Sequence, residues 1–261
     1  MKILFIGDIV GSIGRRLIKE KLESIVNKYN IDFVIANGEN ATHGKGLIRH
    51  HYDELIDAGI NVITLGNHYN SKSELRFFID RVDSIVRPIN LITTFPGEGT
   101  ALFDVDGITV RVTNVLGSAF MNELVNSPYL AMSELLDSEE EKANIHIVDF
   151  HAEATGEKYS LAYALDGKVS AVLGTHTHIQ TTDFRILPEG TAYISDVGMT
   201  GYYDGILGFD KDSVIKKNCY GQMSKFELPE NGRGILQAVV LDIDEISGKC
   251  TQIFPISMIE E

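Results

Sequence analysis

Six short apolar runs constrain this chain more than any other feature: "KILFIG", "DFVIAN", "NVITLG", "IHIVDF", "SAVLGT" and "TAYISDVG". Each is rich in Val, Ile or aromatic residues and is too short for a buried helix. None alternates strictly between apolar and polar positions. Such runs are read as strands covered on both faces. Between the first three lie two amphipathic helical segments, "GRRLIKEKLESIVNKYN" and "HYDELIDAG", the second closing on a glycine where a helix end favours one. Strand, helix, strand, helix, strand implies parallel pairing through right-handed crossovers. Two later stretches read differently. "ALFDVDGITVRVTNVLG" and "ILQAVVLDIDEISGKCTQIF" each place a short Gly-containing turn between strand-like halves, as antiparallel hairpins do. The expected fold is α/β: a mixed β-sheet sandwich flanked by helices. With 261 residues, 44% of them hydrophobic, one domain spanning 1–261 is expected.

The formal net charge of −14 argues against duplex nucleic acid and anionic membrane surfaces as partners, while leaving a small phosphate ester possible if local metal ions reverse the sign. No apolar run reaches the length of a membrane span, and the N-terminal "MKILFIGDIVG" turns acidic too soon for a signal peptide, so a cytoplasmic location is expected. Cys219 and Cys250 have neither CxxC spacing nor neighbouring histidines and are read as structural or incidental.

The chemistry lies just beyond the carboxyl end of each run. "KILFIG" is followed by Asp8, "DFVIAN" by Glu39 and Asn40, and "NVITLG" by Asn67 and His68; "IHIVDF" is followed by His151, and "SAVLGT" by His176 and His178. Ligands of open α/β sheets bind outside the carboxyl ends of the strands, so these groups are expected to share one crevice. Singly they are weak signals: a strand-end Asp caps turns, an Asn-His pair suits a turn, and an HxH pair is unremarkable for this composition. Together they form a set of imidazoles, carboxylates and amides suited to borderline ions such as Mn, Fe or Zn. The set exceeds the needs of one ion and matches a dinuclear site, in which hydroxide attacks phosphorus in line. The other four histidines act as a control. His146 is expected to be a packed strand residue and His50 and His51 surface groups, while His43, with Lys45, either approaches a phosphate or sits in a solvated loop.

"GDIVG", "NGEN", "GNH", "DFHAEATGEK" and "GTHTH" occur in an order that resembles the calcineurin-like metallophosphoesterases, and along nearly the whole chain their YmdB-type branch. The superfamily's first Asp-x-His motif is here Asp8-Ile9-Val10, and Glu39 stands where its bridging Asp is usual, as in that branch. The resemblance implies one metal on Asp8, Glu39, Asn40 and His178, and a second on Glu39, Asn67, His151 and His176, with Glu39 bridging. It further implies His68 as general acid or transition-state stabiliser, iron or manganese as the ions, and 2',3'-cyclic nucleotides as the small phosphodiester substrate. The alternatives are a phosphomonoesterase or nucleotidase and a metal-binding regulatory protein; a homo-oligomer stays open.

Overall fold

The computed structural model describes residues 1–138 and 143–261. The chain runs β1 (Lys2–Ile6), β2 (Asp8–Ile9), α1 (Gly11–Tyr29), β3 (Phe33–Asn37), α2 (Arg49–Asp57), β4 (Val62–Thr64) and β5 (Ile85–Val86). The first hairpin comes next as β6 (Thr100–Val105) and β7 (Ile108–Leu116), then α3 (Pro128–Ser138), β8 (Ile145–His151), α4 (Thr155–Ala164) and β9 (Ala171–Thr175). The last part comprises β10 (Arg185–Ile186), β11 (Ala192–Ile194), β12 (Met199–Tyr202), α5 (Lys211–Asn218), β13 (Gly234–Ile243) and β14 (Cys250–Ile259).

Two mixed sheets result. In the first, β1, β3, β4 and β5 are parallel neighbours, and the other edge of β1 pairs antiparallel with β13. Strand β13 also carries β12 beyond the end of β1, and β14 on its far side. In the second sheet β7, β8, β9 and β11 run parallel, with β6 and β10 as antiparallel edges. The turn of the first hairpin is Asp106-Gly107, both at positive φ (53° and 85°), the backbone that a two-residue hairpin loop favours.

The sheets face each other across one apolar layer. Ile3, Phe5, Ile35 and Val239 of the first meet Val112, Ile147, Leu173 and Ile194 of the second. On the outer face of the first sheet, Leu4, Ile6, Val34 and Ile63 pack under α1 and α2 through Ile18, Leu22 and Leu55. On the outer face of the second, Val148, Phe150 and Val172 pack under α3 and α4 through Met132 and Leu161. Successive residues of β1 therefore serve different apolar layers, which is why the runs showed no alternation.

Two details differ from expectation. Helix α1 begins one turn before "GRRL", at Gly11, and ends at Asn30 in the left-handed conformation (φ 53°). His51 is not a surface group: it is buried with Tyr52 and Leu55 on the inner face of α2, its Nδ1 2.8 Å from Thr42 Oγ1, while His50 points to solvent. A helix turns about 100° per residue, and at this helix start the single step from His50 to His51 carries the side chain from solvent to the core. Among the described residues no helix is long and apolar enough to cross a membrane.

Candidate metal centre

Because β1, β3 and β4 run parallel in one sheet and β8 and β9 in the other, their carboxyl ends open on the same crevice, and the predicted residues come together there. Asp8 lies directly beyond β1; its backbone N–H donates to Gly198 O at 3.1 Å, and Met199, just after the run "TAYISDVG", stands opposite it on β12. Gly66 comes just after β4 because any Cβ there would sit 2.5 Å from His151 Nε2 and press equally on Glu39 Oε2. His176 and His178 come after β9 with φ of 102° and 64°, values rare for residues bearing a Cβ, so the turn that presents them is strained.

Two groups of donors share Glu39. In the first, the Asn40 amide nitrogen lies 3.4 Å from Asp8 Oδ1, 3.2 Å from Glu39 Oε1 and 3.2 Å from His178 Nε2. In the second, His151 Nε2 lies 3.1 Å from Glu39 Oε1, 3.1 Å from Asn67 Oδ1 and 3.0 Å from His176 Nδ1. One donor atom from each of Glu39, His151 and His176 fits within 4.8 Å of the others. His68 donates its backbone N–H to Glu39 Oε2 at 2.9 Å, and its half-buried side chain lines the crevice with Lys45. His43 is exposed, at φ 52°, in the loop beside it.

The electrostatics are those of carboxylates buried without a permanent cation. Asp8 and Glu39 are buried, and among the described residues their close partners are amides and imidazoles rather than lysine or arginine. Burial raises Asp8 more than His178 and His151 lower it. For Glu39 burial again acts upward, but His151 and His68 together hold it well below the usual carboxylate range. Burial opposes charge on His151, yet Glu39 and Asp8 outweigh it and lift the ring to about 9. His176 is driven down to about 3 by burial and then by His151, and burial also lowers His68.

Several residues behind the donors carried no expectation. Thr175 Oγ1 donates to Asp149 Oδ1 at 2.6 Å and lies 2.9 Å from His151 Nδ1, so it accepts that N–H and leaves Nε2 for the centre. His178 Nδ1 donates to Leu207 O at 3.0 Å, to the same effect. The buried Lys158 ammonium donates to Thr175 O (2.9 Å) and Asp196 Oδ2 (3.0 Å), and Asp196 also accepts from the Thr177 backbone and hydroxyl, bracing the turn that holds both histidines. An acidic residue inside the apolar run "IHIVDF" was the one sequence signal for Asp149. Thr175, Lys158 and Asp196 lie within "GTHTH", "DFHAEATGEK" and "TAYISDVG", which gave them no individual role.

Known proteins share this arrangement of sequence and fold. The family model described as YmdB-like protein matches residues 4–256. The chain is 47% identical over 253 residues to the 2',3'-cyclic-nucleotide 2'-phosphodiesterase of Bacillus subtilis (strain 168), a match covering 97% of this chain and 95% of the relative. A solved structure described as a novel phosphatase of Mycoplasma pneumoniae superposes with a TM-score of 0.93 at 38% identity, covering 100% of this chain and 94% of that one. The calcineurin-like phosphoesterase YfkN of Bacillus subtilis shares the fold at 12% identity, with a TM-score of 0.60 over 100% of this chain and 90% of its own.

Proposed function

The chain belongs to the YmdB-like family of phosphoesterases, and from that premise we propose that it is a dinuclear metal-dependent phosphodiesterase acting on small phosphodiesters, 2',3'-cyclic nucleotides foremost. The observation that carries this reading is the convergence of Asp8, Asn40, Asn67, His151, His176 and His178 around Glu39 on the crevice floor. Buried carboxylates without lysine or arginine beside them require counter-charge; cations that displace the His151 proton would supply it, with imidazoles and amides as neutral ligands. The residues therefore fit a pair of divalent cations. Asp8, Glu39, Asn40 and His178 would hold one, and Glu39, Asn67, His151 and His176 the other; the donor set suits iron or manganese. Bound there, the cations supply Lewis acidity, neutralising phosphoryl charge and lowering the pKa of water.

The chain's own groups do the rest. Glu39 links the two donor groups and, through the His68 N–H, fixes where that side chain begins. The lowered His68 stays neutral near pH 7 and retains one ring N–H to donate to the leaving oxygen as negative charge develops there. Asp149 and Thr175 keep the His151 ring in one tautomer and one orientation. Lys45 is the one Lys or Arg side chain among the described crevice-lining residues, and Glu153 faces the same space. That balance suits a singly charged diester better than a doubly charged monoester.

Protein purified without oxygen should carry about two metal equivalents and, with Mn or Fe, hydrolyse bis(p-nitrophenyl) phosphate and 2',3'-cyclic AMP faster than p-nitrophenyl phosphate. Full metal content with no diester turnover, or with the monoester preferred, would overturn the proposal.

A further inference from the structure

The crevice is chemically two-sided. Beyond the donors of its floor its lining turns apolar, with Ile206, Leu207, Phe209, Val214 and Phe226, and Asn218 beside them; floor and apolar wall together enclose about 370 Å³. That volume lies in the range of small-ligand sites, roughly 300 to 1,000 Å³. All six residues come from the excursion between β12 and β13, residues 203–233. The excursion is tied to itself: Tyr203 N–H donates to Arg233 O at 2.9 Å, Asp210 N–H to Glu227 O at 2.8 Å, and Arg233 pairs with Asp204. Ile206 and Phe209 close a tight turn by reciprocal backbone bonds of 2.9 and 3.0 Å, with Leu207 and Gly208 at φ of 54° and 89°. The carbonyl of that strained Leu207 is the acceptor that orients His178. Apolar wall and donor floor are therefore held in fixed relation.

The wall has the chemistry of a stacking platform. Phe209 and Phe226 pack with ring centroids 5.5 Å apart and planes tilted by 48°. Phe226 remains 40% exposed despite that contact, and Lys217 Nζ rests 4.6 Å from its centroid. Asn218 offers both a donor and an acceptor, as a hydrogen-bonding base edge requires. Flat aromatic surface, a neighbouring cation and an amide are what proteins use to hold an unpaired base.

We propose that Phe209, Phe226, Leu207 and Val214 form a nucleobase subsite, with Asn218 at its edge. The assignment rests on reading the donor cluster as a phosphodiesterase centre: with the ester at the histidines, the base of a cyclic mononucleotide lies on this wall. Leu207 is unsuitable for the test because its carbonyl positions His178, whereas the ring contacts of Phe226 are with Phe209 and Lys217.

The test compares 2',3'-cyclic AMP with methyl riboside 2,3-cyclic phosphate, the same cyclic ester without a base, on metal-loaded protein. The unaltered protein should favour the nucleotide by about tenfold in kcat/KM. Phe226→Ala should abolish the preference through KM, with kcat and metal content kept, and Phe226→Tyr should retain it. No preference in the unaltered protein, or one that survives Phe226→Ala, overturns the subsite. If neither ester is turned over, the phosphodiesterase reading fails and the subsite is judged separately by saturation-transfer NMR with adenosine. A signal lost in Phe226→Ala supports the subsite; equal signals, or none in either protein, overturn it. Should Phe226→Ala lose its thermal transition, Asn218→Ala at an exposed position replaces it: a changed rate ratio between adenine and uracil esters supports the subsite, and an unchanged ratio overturns it.

Discussion

Strand β8 carries two buried histidines, one near each end, and their surroundings tune them in opposite directions. His146, with Nε2 2.8 Å from Thr113 Oγ1, is lowered to about 3 by burial and then by Arg111. His151, equally buried, is raised to about 9, because Glu39 and Asp8 outweigh the same burial. One is a neutral packing residue whose Nε2 meets a hydroxyl. The other stands among carboxylates that need a cation. Burial by itself does not mark a histidine as a candidate for function; burial beside buried acids at the open end of a sheet does.

Four substitutions sharpen this contrast, from the largest effect to the smallest. Glu39→Gln removes the charge common to both donor groups, and should reduce diester turnover to background and metal content below about one equivalent, measured by elemental analysis of the purified variant. His68→Ala leaves the surroundings of His151 in place because the contact with Glu39 is through the backbone. Turnover should fall about 10² to 10⁴-fold with metal retained, and an unchanged rate would remove His68 from the chemistry. Thr175→Val cuts the link from Asp149 to His151. Metal affinity or activity should drop about 10- to 100-fold, read by titrating metal back into the chelated protein.

At the other end of the strand, His146→Gln changes stability rather than turnover. The folded ring, near 3, refuses the proton that the unfolded chain accepts near 6.5. Its contribution is therefore complete above pH 6.5 and is lost as pH falls toward 3. Between pH 7 and pH 5 the unaltered protein should lose about 2 kcal/mol more than the variant, at about 1.4 kcal/mol per unit, in urea unfolding at the two pH values. Equal losses would mean that the ring is already charged in the fold.

Much of the fold was legible because apolar runs and Gly-containing turns are local signals. The strands, both hairpins and the two early helices lie where the pattern places them, and the fold belongs with the calcineurin-like phosphoesterases. The gathering of polar groups at the crevice was legible for a related reason: a parallel strand releases its chain at one end, so a polar residue directly after an apolar run is already addressed to the crevice. Thr175 and Lys158 were not, because a threonine ending a strand and a lysine on a helix look like any others until Asp149 and Asp196 are brought to them from elsewhere in the chain. His51 misled for the complementary reason, that a charged-looking helix start hides which of two adjacent residues turns inward.

By itself, then, the sequence determined which polar side chains end the strands and so face the crevice, since that depends on residue type and local periodicity. Only the tertiary structure decided that Glu39 stands in both donor groups, that Asp149 and Leu207 set the tautomers of His151 and His178, and that the 203–233 excursion folds an aromatic wall over the centre. Those are distances between residues far apart in the chain, and the packing of two sheets against each other creates them.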